Sequence, residues 1–339
     1  MGKITITDIA NKLKVAPSTV SRALRNQSSI SQKTKNAVLA LAKKLNYQPN
    51  DIAINLLRRK SNMIGVIVPQ ITSHFYSAII TSIQDVLSNT SFNMMVFISN
   101  ESFEEEVVII QKLEKLQVDG VLVSTSSKTK NFNHLKKMQK KGIPVVIFDR
   151  DCPGLKADKV LVDDYSGAFE AVEFLIQSGC EKIAHLGGPN NSSTSKHRLN
   201  GYLDALKKNK IPIKKKYIHH VSGFTSKSGI KASKVLLELE NPPDAIFAVN
   251  DNIAIAAMNV AKKMNIKIPE KLSIIGFNDD PHSSLMTPSL STVLQPVFSI
   301  GMLSARILLH HLKDVDAKIE FRHEVFKTEL ITRESSKLL

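Results

Sequence analysis

Eight short apolar runs constrain this chain more than any other feature: Ile64–Val68, Met94–Ile98, Val121–Val123, Val145–Phe148, Ile183–Leu186, Tyr217–Val221, Ala245–Val249 and Leu272–Ile275. Segments with helical spacing of apolar residues separate them. A run that is apolar at nearly every position, rather than at alternate ones, is a strand covered on both faces, and intervening helices provide that cover in a parallel α/β sheet. From residue 62 to 339 the chain is too long for one comfortable core. The expected fold is therefore α/β, with two doubly wound parallel-sheet subdomains.

Charge is spread unevenly. The chain holds 46 Lys and Arg against 31 Asp and Glu, a net +15, and residues 1–60 contain twelve of the bases and two of the acids, for +10. The remaining +5 is ordinary for a globular core and requires no polyanionic partner. A basic N-terminal sixth points to nucleic acid or an anionic surface.

The same segment reads as three short helices. Ile6, Ile9, Ala10 and Leu13 share one face, with Thr5 placed as cap and Asp8 at the positive end of the helix dipole. After a tight Lys14-Val15-Ala16 connection, a second helix runs from about Pro17 to Leu24, and a third from about Ser31 to Leu45, burying Val38, Leu41, Ala42 and Leu45 and showing Lys33, Lys35, Lys43 and Lys44. Two short helices joined by a turn and braced by a third form the helix-turn-helix plan. The second helix would present Ser18, Thr19, Ser21 and Arg22, and an arginine can pair with guanine O6 and N7 in a major groove. A small helical adaptor with a solvated basic face is the competing reading.

Other classes find little support. No stretch of eighteen apolar residues and no secretory leader is present, so a cytoplasmic protein with no membrane partner is expected. Cys152 and Cys180 fit neither a disulfide framework nor a zinc site, and no metal or other cofactor is implied. No GxGxxG follows the first strand, and neither GxxxxGK[ST] nor GxSxG occurs. His219-His220 and His310-His311 are adjacent pairs whose side chains diverge, and Asp163-Asp164 and Asp279-Asp280 sit where helix capping explains them. A metabolic enzyme carrying a DNA-binding appendage remains the alternative to a regulator.

The stretch Ile4 to Ala10, Val15, Thr19-Val20-Ser21-Arg22-Ala23-Leu24 and Tyr47-Gln48-Pro49-Asn50 resembles the DNA-binding end of the LacI/GalR family, and the resemblance continues to Thr328–Ser335. It implies a helix-turn-helix domain over 1–48, a hinge helix over 49–61, and a periplasmic-binding-protein-like core over 62–339. The core's N-subdomain would span about 62–161 plus 294–322, and its C-subdomain 162–293 plus 323–339. Crossovers are expected near Val162-Asp163, Ser291–Leu294 and Phe321–Glu324. The implied partners are palindromic double-stranded DNA, a second copy of the chain in a homodimer, and a small effector. The implied DNA-contacting set is Thr5, Pro17, Ser18, Thr19, Ser21, Arg22, Asn26, Ser31, Tyr47, Asn50 and Leu56, with Leu56 as the minor-groove wedge of the hinge. Ala16 departs from the serine usual before the recognition helix.

Ligands of open parallel sheets collect beyond the carboxyl ends of the strands. Those ends carry Phe75, Tyr76, Ser124, Asp149 and Arg150 in the first half, and Thr194, Arg198, Phe224, Asn250 and Asn278 in the second. Aromatic faces beside Asn, Asp and Arg suit a small polyhydroxylated ligand, a sugar above all. The family resemblance assigns Arg198 and Asn250 to effector hydroxyls and adds Gln295; Asn278 stands where an aspartate is common. The expected function is a transcriptional regulator, in the sense of a repressor, whose operator affinity is set allosterically by this effector.

Overall fold

The computed structural model describes residues 4–24, 26–47, 61–313 and 320–337, and it divides into two compact units between Ser61 and Asn62. The first unit contains α1 (Ile6–Leu13), α2 (Pro17–Leu24) and α3 (Gln32–Lys44). A reciprocal capping box opens α1: the Asp8 amide donates to Thr5 Oγ1 at 3.3 Å and the Thr5 amide to Asp8 Oδ2 at 2.8 Å. Lys14 closes it in the left-handed conformation, φ 53°, which turns the chain directly into α2. Ile9, Ala10, Val20, Ala23, Val38 and Ala42 form the small core. Lys35 departs from the expected exposed face of α3: it is buried, and its Nζ donates to the Asn26 carbonyl at 3.4 Å. Its aliphatic stem covers apolar surface while its ammonium ties down the turn after α2.

The second unit has two lobes, each built on a six-stranded sheet. The strands are β1 (Met63–Val68), β2 (Asn93–Ile98), β3 (Gly120–Val123), β4 (Val145–Phe148), β5 (Asp158–Val162), β6 (Ile183–Gly187), β7 (Ile218–His220), β8 (Ala245–Ala248), β9 (Ser273–Asn278), β10 (Ser291–Leu294), β11 (His323–Phe326) and β12 (Glu329–Ile331). The first sheet runs β11-β5-β4-β3-β1-β2 and the second β12-β10-β9-β8-β6-β7, the same order twice. Every pairing is parallel except β10 with β12. Helices α4 (His74–Leu87), α5 (Phe103–Lys115), α6 (Asn133–Lys140) and α12 (Val297–Lys313) cover the first sheet. The second is covered by α7 (Asp164–Gln177), α8 (Ser193–Lys208), α9 (Ser226–Leu237), α10 (Asp251–Lys263) and the short α11 (Pro281–Leu285).

The described chain passes between the lobes three times, from β5 to α7, from β10 to α12, and from β11 to β12. The first two crossings directly follow Val162 and Leu294. The third falls later: His323–Phe326 pairs with β5 in the first sheet, so the segment 323–326 belongs to the N-subdomain rather than to the C-subdomain expected from residue 323 onward. β5, β10, β11 and β12 are short and half polar, which is why no continuous apolar run marks them. The Tyr217 strand also shortens, because Lys215–Tyr217 forms a single 3-10 turn before β7.

Close helix pairing stiffens each lobe. A Cβ at Gly301 of α12 would strike the Ile79 carbonyl and Ser82 of α4, and one at Gly201 of α8 would strike the Tyr165 carbonyl and Ala168 of α7. Only glycine permits those backbones to approach so far. Among the described residues no helix is long and apolar enough to cross a membrane, and no cluster of His, Cys, Asp and Glu is placed to hold a metal. Cys152 and Cys180 are buried free thiols, not joined in a disulfide. Burial pushes the Cys152 thiol up to about 12, so it is unreactive at neutral pH.

Two buried titratable groups of the second lobe, one on a strand and one at a helix start, respond to pH in opposite directions. His185 of β6 is stacked between Tyr202 and Phe247, each 5.2 Å away between ring centroids. Its Nδ1 donates to the Phe247 carbonyl at 3.0 Å, and burial pushes its pKa down to about 3. Neutral in the fold, it permits a stability that is full above pH 6.5 and is lost as pH falls toward 3. For Asp251, burial outweighs hydrogen bonds from Thr292, the Asp280 amide and Ser283 and pushes the carboxyl up to about 6, so its contribution is lost as pH rises through 6. Comparing variant with wild type separates the two. In His185→Phe, the stability lost between pH 7 and pH 4.5 in urea unfolding should be about 3 kcal/mol smaller than in the parent; coincident pH profiles would exclude a neutral buried imidazole.

Candidate functional sites

In the head, α2 exposes Pro17, Ser18 and Arg22 and half-buries Thr19 and Ser21, while Val20 and Ala23 turn inward. The amide of Thr19 donates to the Ala16 carbonyl at 2.9 Å, so the helix begins without a side-chain cap at Ala16, and Pro17 removes one amide that would otherwise need a partner. Asn26 is exposed in the left-handed region, φ 54°. Ser31 caps α3, accepting from the Thr34 amide at 3.3 Å. Tyr47 is half-buried against the head's core, and Thr5 is engaged in the capping box. Asn50 and Leu56 lie outside the described residues.

In the core, the carboxyl ends of both parallel sheets face a narrow polar cleft lined by Gln70, Ser73, Phe75, Tyr76, Asp149, Arg150, Thr194, Arg198, Phe224, Asn250, Asn278 and Gln295. Its free volume is about 30 Å³, room for a few waters. Ten of the eleven residues named from the strand ends and the resemblance line it. The eleventh, Ser124, stands immediately behind, donating to Asp149 Oδ2 at 2.8 Å. The strand order reverses at β1/β3 and at β6/β8, and those switch points open the crevices that hold Phe75, Tyr76, Thr194 and Asn250. Gln70 and Ser73 were missed although they directly follow β1; the strand-end rule reaches them once the whole loop before α4 is counted.

Each lobe presets its polar groups. In the first, Tyr76 Oη donates to Asp149 Oδ2 at 2.7 Å, and burial raises the Tyr76 hydroxyl well above its usual pKa, so it stays a donor. Arg150 grips Glu101 in a two-pronged pair, 2.9 Å from Nη1 and 2.7 Å from Nη2, and Nη1 also donates to the Thr125 carbonyl at 2.8 Å. In the second lobe, Arg198 donates from Nε to Asp164 Oδ1 at 2.8 Å and from Nη1 to the Val249 carbonyl, with its guanidinium 3.6 Å above the Phe277 ring. Asn250 caps α10 and donates to the Phe224 carbonyl at 3.0 Å, fixing that loop. Gln295 donates to Asn278 Oδ1 at 2.7 Å. Across the cleft, the Arg150 guanidinium of the first lobe lies 5.1 Å from the Phe224 ring of the second, within cation–π range.

Backbone strain gathers at the same place. Asn100 and Glu101 after β2, Asp149 after β4, and Asn278 and Asp279 at the end of β9 all have positive φ, from 51° to 123°. Such conformations cost non-glycine residues energy and persist where surrounding contacts enforce them. Arg333, within the C-terminal stretch that carries the family resemblance, anchors Asp279 at 2.7 Å.

A helix-turn-helix head on a two-lobed core with a polar inter-lobe cleft defines the class of binding-protein-like DNA-binding regulators. The model described as bacterial regulatory proteins, lacI family, matches residues 5–50, and the periplasmic binding protein-like domain matches residues 172–336. The chain is 36% identical to the probable HTH-type transcriptional repressor ExuR of Bacillus subtilis, covering 99% of both chains. It is 32% identical to the ribose operon repressor of Halalkalibacterium halodurans, over 98% of this chain and 97% of the relative. The structure of the regulator CelR in complex with cellobiose superposes with a TM-score of 0.74 at 26% identity, over 98% of this chain and 99% of that one. The chain belongs to the lacI family. It is a DNA-binding transcriptional regulator, from a family of repressors rather than enzymes.

The Arg198–Asp164 pair supplies a stability test. Burial raises the Asp164 carboxyl above its ordinary pKa even with Arg198 beside it. Arg198→Ala therefore strands a buried carboxylate and should cost about 3–5 kcal/mol at neutral pH in urea unfolding. The double variant with Asp164→Ala should recover much of that loss. A double variant no more stable than the single one would show that the pair is not the source of the cost.

Proposed function

We propose that the protein represses transcription as a homodimer on a palindromic operator, and that a sugar bound between the core lobes controls its operator affinity. The DNA reading rests on the exposed face of α2, where Arg22 is the long bidentate donor among the small side chains Pro17, Ser18, Thr19 and Ser21. Thr5 and Ser31, at helix N-termini, suit phosphate contacts. Asn26, Tyr47 and Asn50 complete the proposed surface, with Leu56 as hinge wedge. Two-fold symmetry of the dimer would match the two half-sites.

The observation that carries the effector reading is the cleft itself, in which hydrogen-bonding groups from both sheets face one another at the strand ends. Ligand pockets commonly occupy about 300–1,000 Å³, so at about 30 Å³ this cleft must part or its side chains must move to admit a sugar ring. Binding then changes lobe orientation, and any coupling to DNA is reciprocal: the operator alters sugar affinity by the same factor.

Arg22→Ala should abolish the preference for operator over unrelated DNA in a gel-shift competition while leaving salt-sensitive non-specific binding; retained selectivity rules out α2 as the reading helix. A thermal-shift screen of mono- and disaccharides, followed by operator titration with the hit, tests the control. A hit that leaves operator affinity unchanged overturns it.

A further inference from the structure

The cleft contains two arginines, which would ordinarily advertise an anionic ligand. Their partners say otherwise. Arg150 commits both terminal nitrogens to Glu101, gives a further bond to the Thr125 carbonyl, and turns Nε toward Asp149 Oδ2 at 3.7 Å. Arg198 commits Nε and Nη2 to Asp164 and Nη1 to the Val249 carbonyl. Each positive charge is thus already matched by a buried or largely buried carboxylate. Asp149 lines the cleft as a third; among the described residues it accepts hydrogen bonds from the neutral hydroxyls Tyr76 and Ser124, with the already committed Arg150 as its nearby cation. Two arginines against Glu101, Asp164 and Asp149 leave the site one negative charge in excess. The remaining lining groups, Gln70, Ser73, Thr194, Asn250, Asn278 and Gln295, are neutral.

We infer that this cleft selects an uncharged polyhydroxylated ligand, a neutral sugar or glycoside, against uronates and sugar phosphates, and that Glu101 imposes the selection by occupying the Arg150 fork. The inference rests on the reading of the cleft as the effector site and narrows it. An anion entering here meets the Asp149 carboxylate in a narrow space, with no unpaired cation among the described lining residues to receive it. A neutral hydroxyl instead donates to Asp149 and accepts one of the N–H groups that each arginine still has free. Glu101 is a positioning residue. It is set by two consecutive left-handed residues, Asn100 and Glu101, and held by the Ser127 amide at 2.7 Å, so its carboxylate stays on Arg150 rather than swinging to solvent.

The test is calorimetric titration of the full chain with a panel of neutral mono- and disaccharides, with D-galacturonate, D-glucuronate and their methyl esters, and with D-glucose 6-phosphate. At least one neutral sugar should bind, with every anionic sugar at least thirtyfold weaker than its neutral counterpart and the methyl esters closer to the neutral sugars than the free acids are. In Glu101→Gln the ratio of uronate to neutral-sugar affinity should rise at least tenfold. An anionic sugar that binds wild type as tightly as its neutral counterpart overturns the selection, and an unchanged ratio in Glu101→Gln removes Glu101 from it; the ester comparison needs no variant. Binding by no carbohydrate of either charge overturns the effector reading itself.

Discussion

Parallelism of the strands is the constraint on which the rest of the core depends. A parallel sheet needs a crossover for each strand, and every crossover returns the chain to the same edge, so all the loops that leave carboxyl ends collect on one side. Two such sheets in one chain, with the same strand order, bring two loop-bearing edges to one cleft. Phe75, Asp149, Phe224 and Asn250 are distant in sequence and neighbours in space for this reason alone.

The cleft is costly to maintain. Its charges are buried, and buried ion pairs seldom repay their desolvation. Positive φ angles at Glu101, Asp149 and Asn278 add strain. The lobes balance this with largely apolar interiors, where Phe148, Phe247 and Phe277 are completely buried. Stability is thus concentrated away from the strand ends, and polar order is concentrated at them.

Much of this was readable from residues alone. The runs around Ile64, Val145 and Ala245 announced buried strands because each is apolar at nearly every position, and α1 and α2 followed from capping and spacing at Thr5, Pro17 and Val20. β5 and β11 escaped because Asp158, His323 and Glu324 break the apolar pattern: short edge and crossover strands are held by ladder bonds and neighbours rather than by their own hydrophobicity. Ten cleft residues could be named from strand ends and family resemblance. Glu101 could not, since it follows a different strand and acts through Arg150, a pairing that only the folded loops reveal. Lys35 shows the same limit in the head, where a lysine at a helical surface position turned out to be buried.

The three passages between the lobes have a mechanical meaning. A single connecting strand would allow one lobe to bend, swivel and slide against the other. Three connections fixed to stiff bodies, each braced by helices in contact at Gly201 or Gly301, leave little freedom beyond rotation about one axis. The core is then constrained like a door on three hinges rather than two beads on a string: whatever relative motion the lobes have is confined to a single arc.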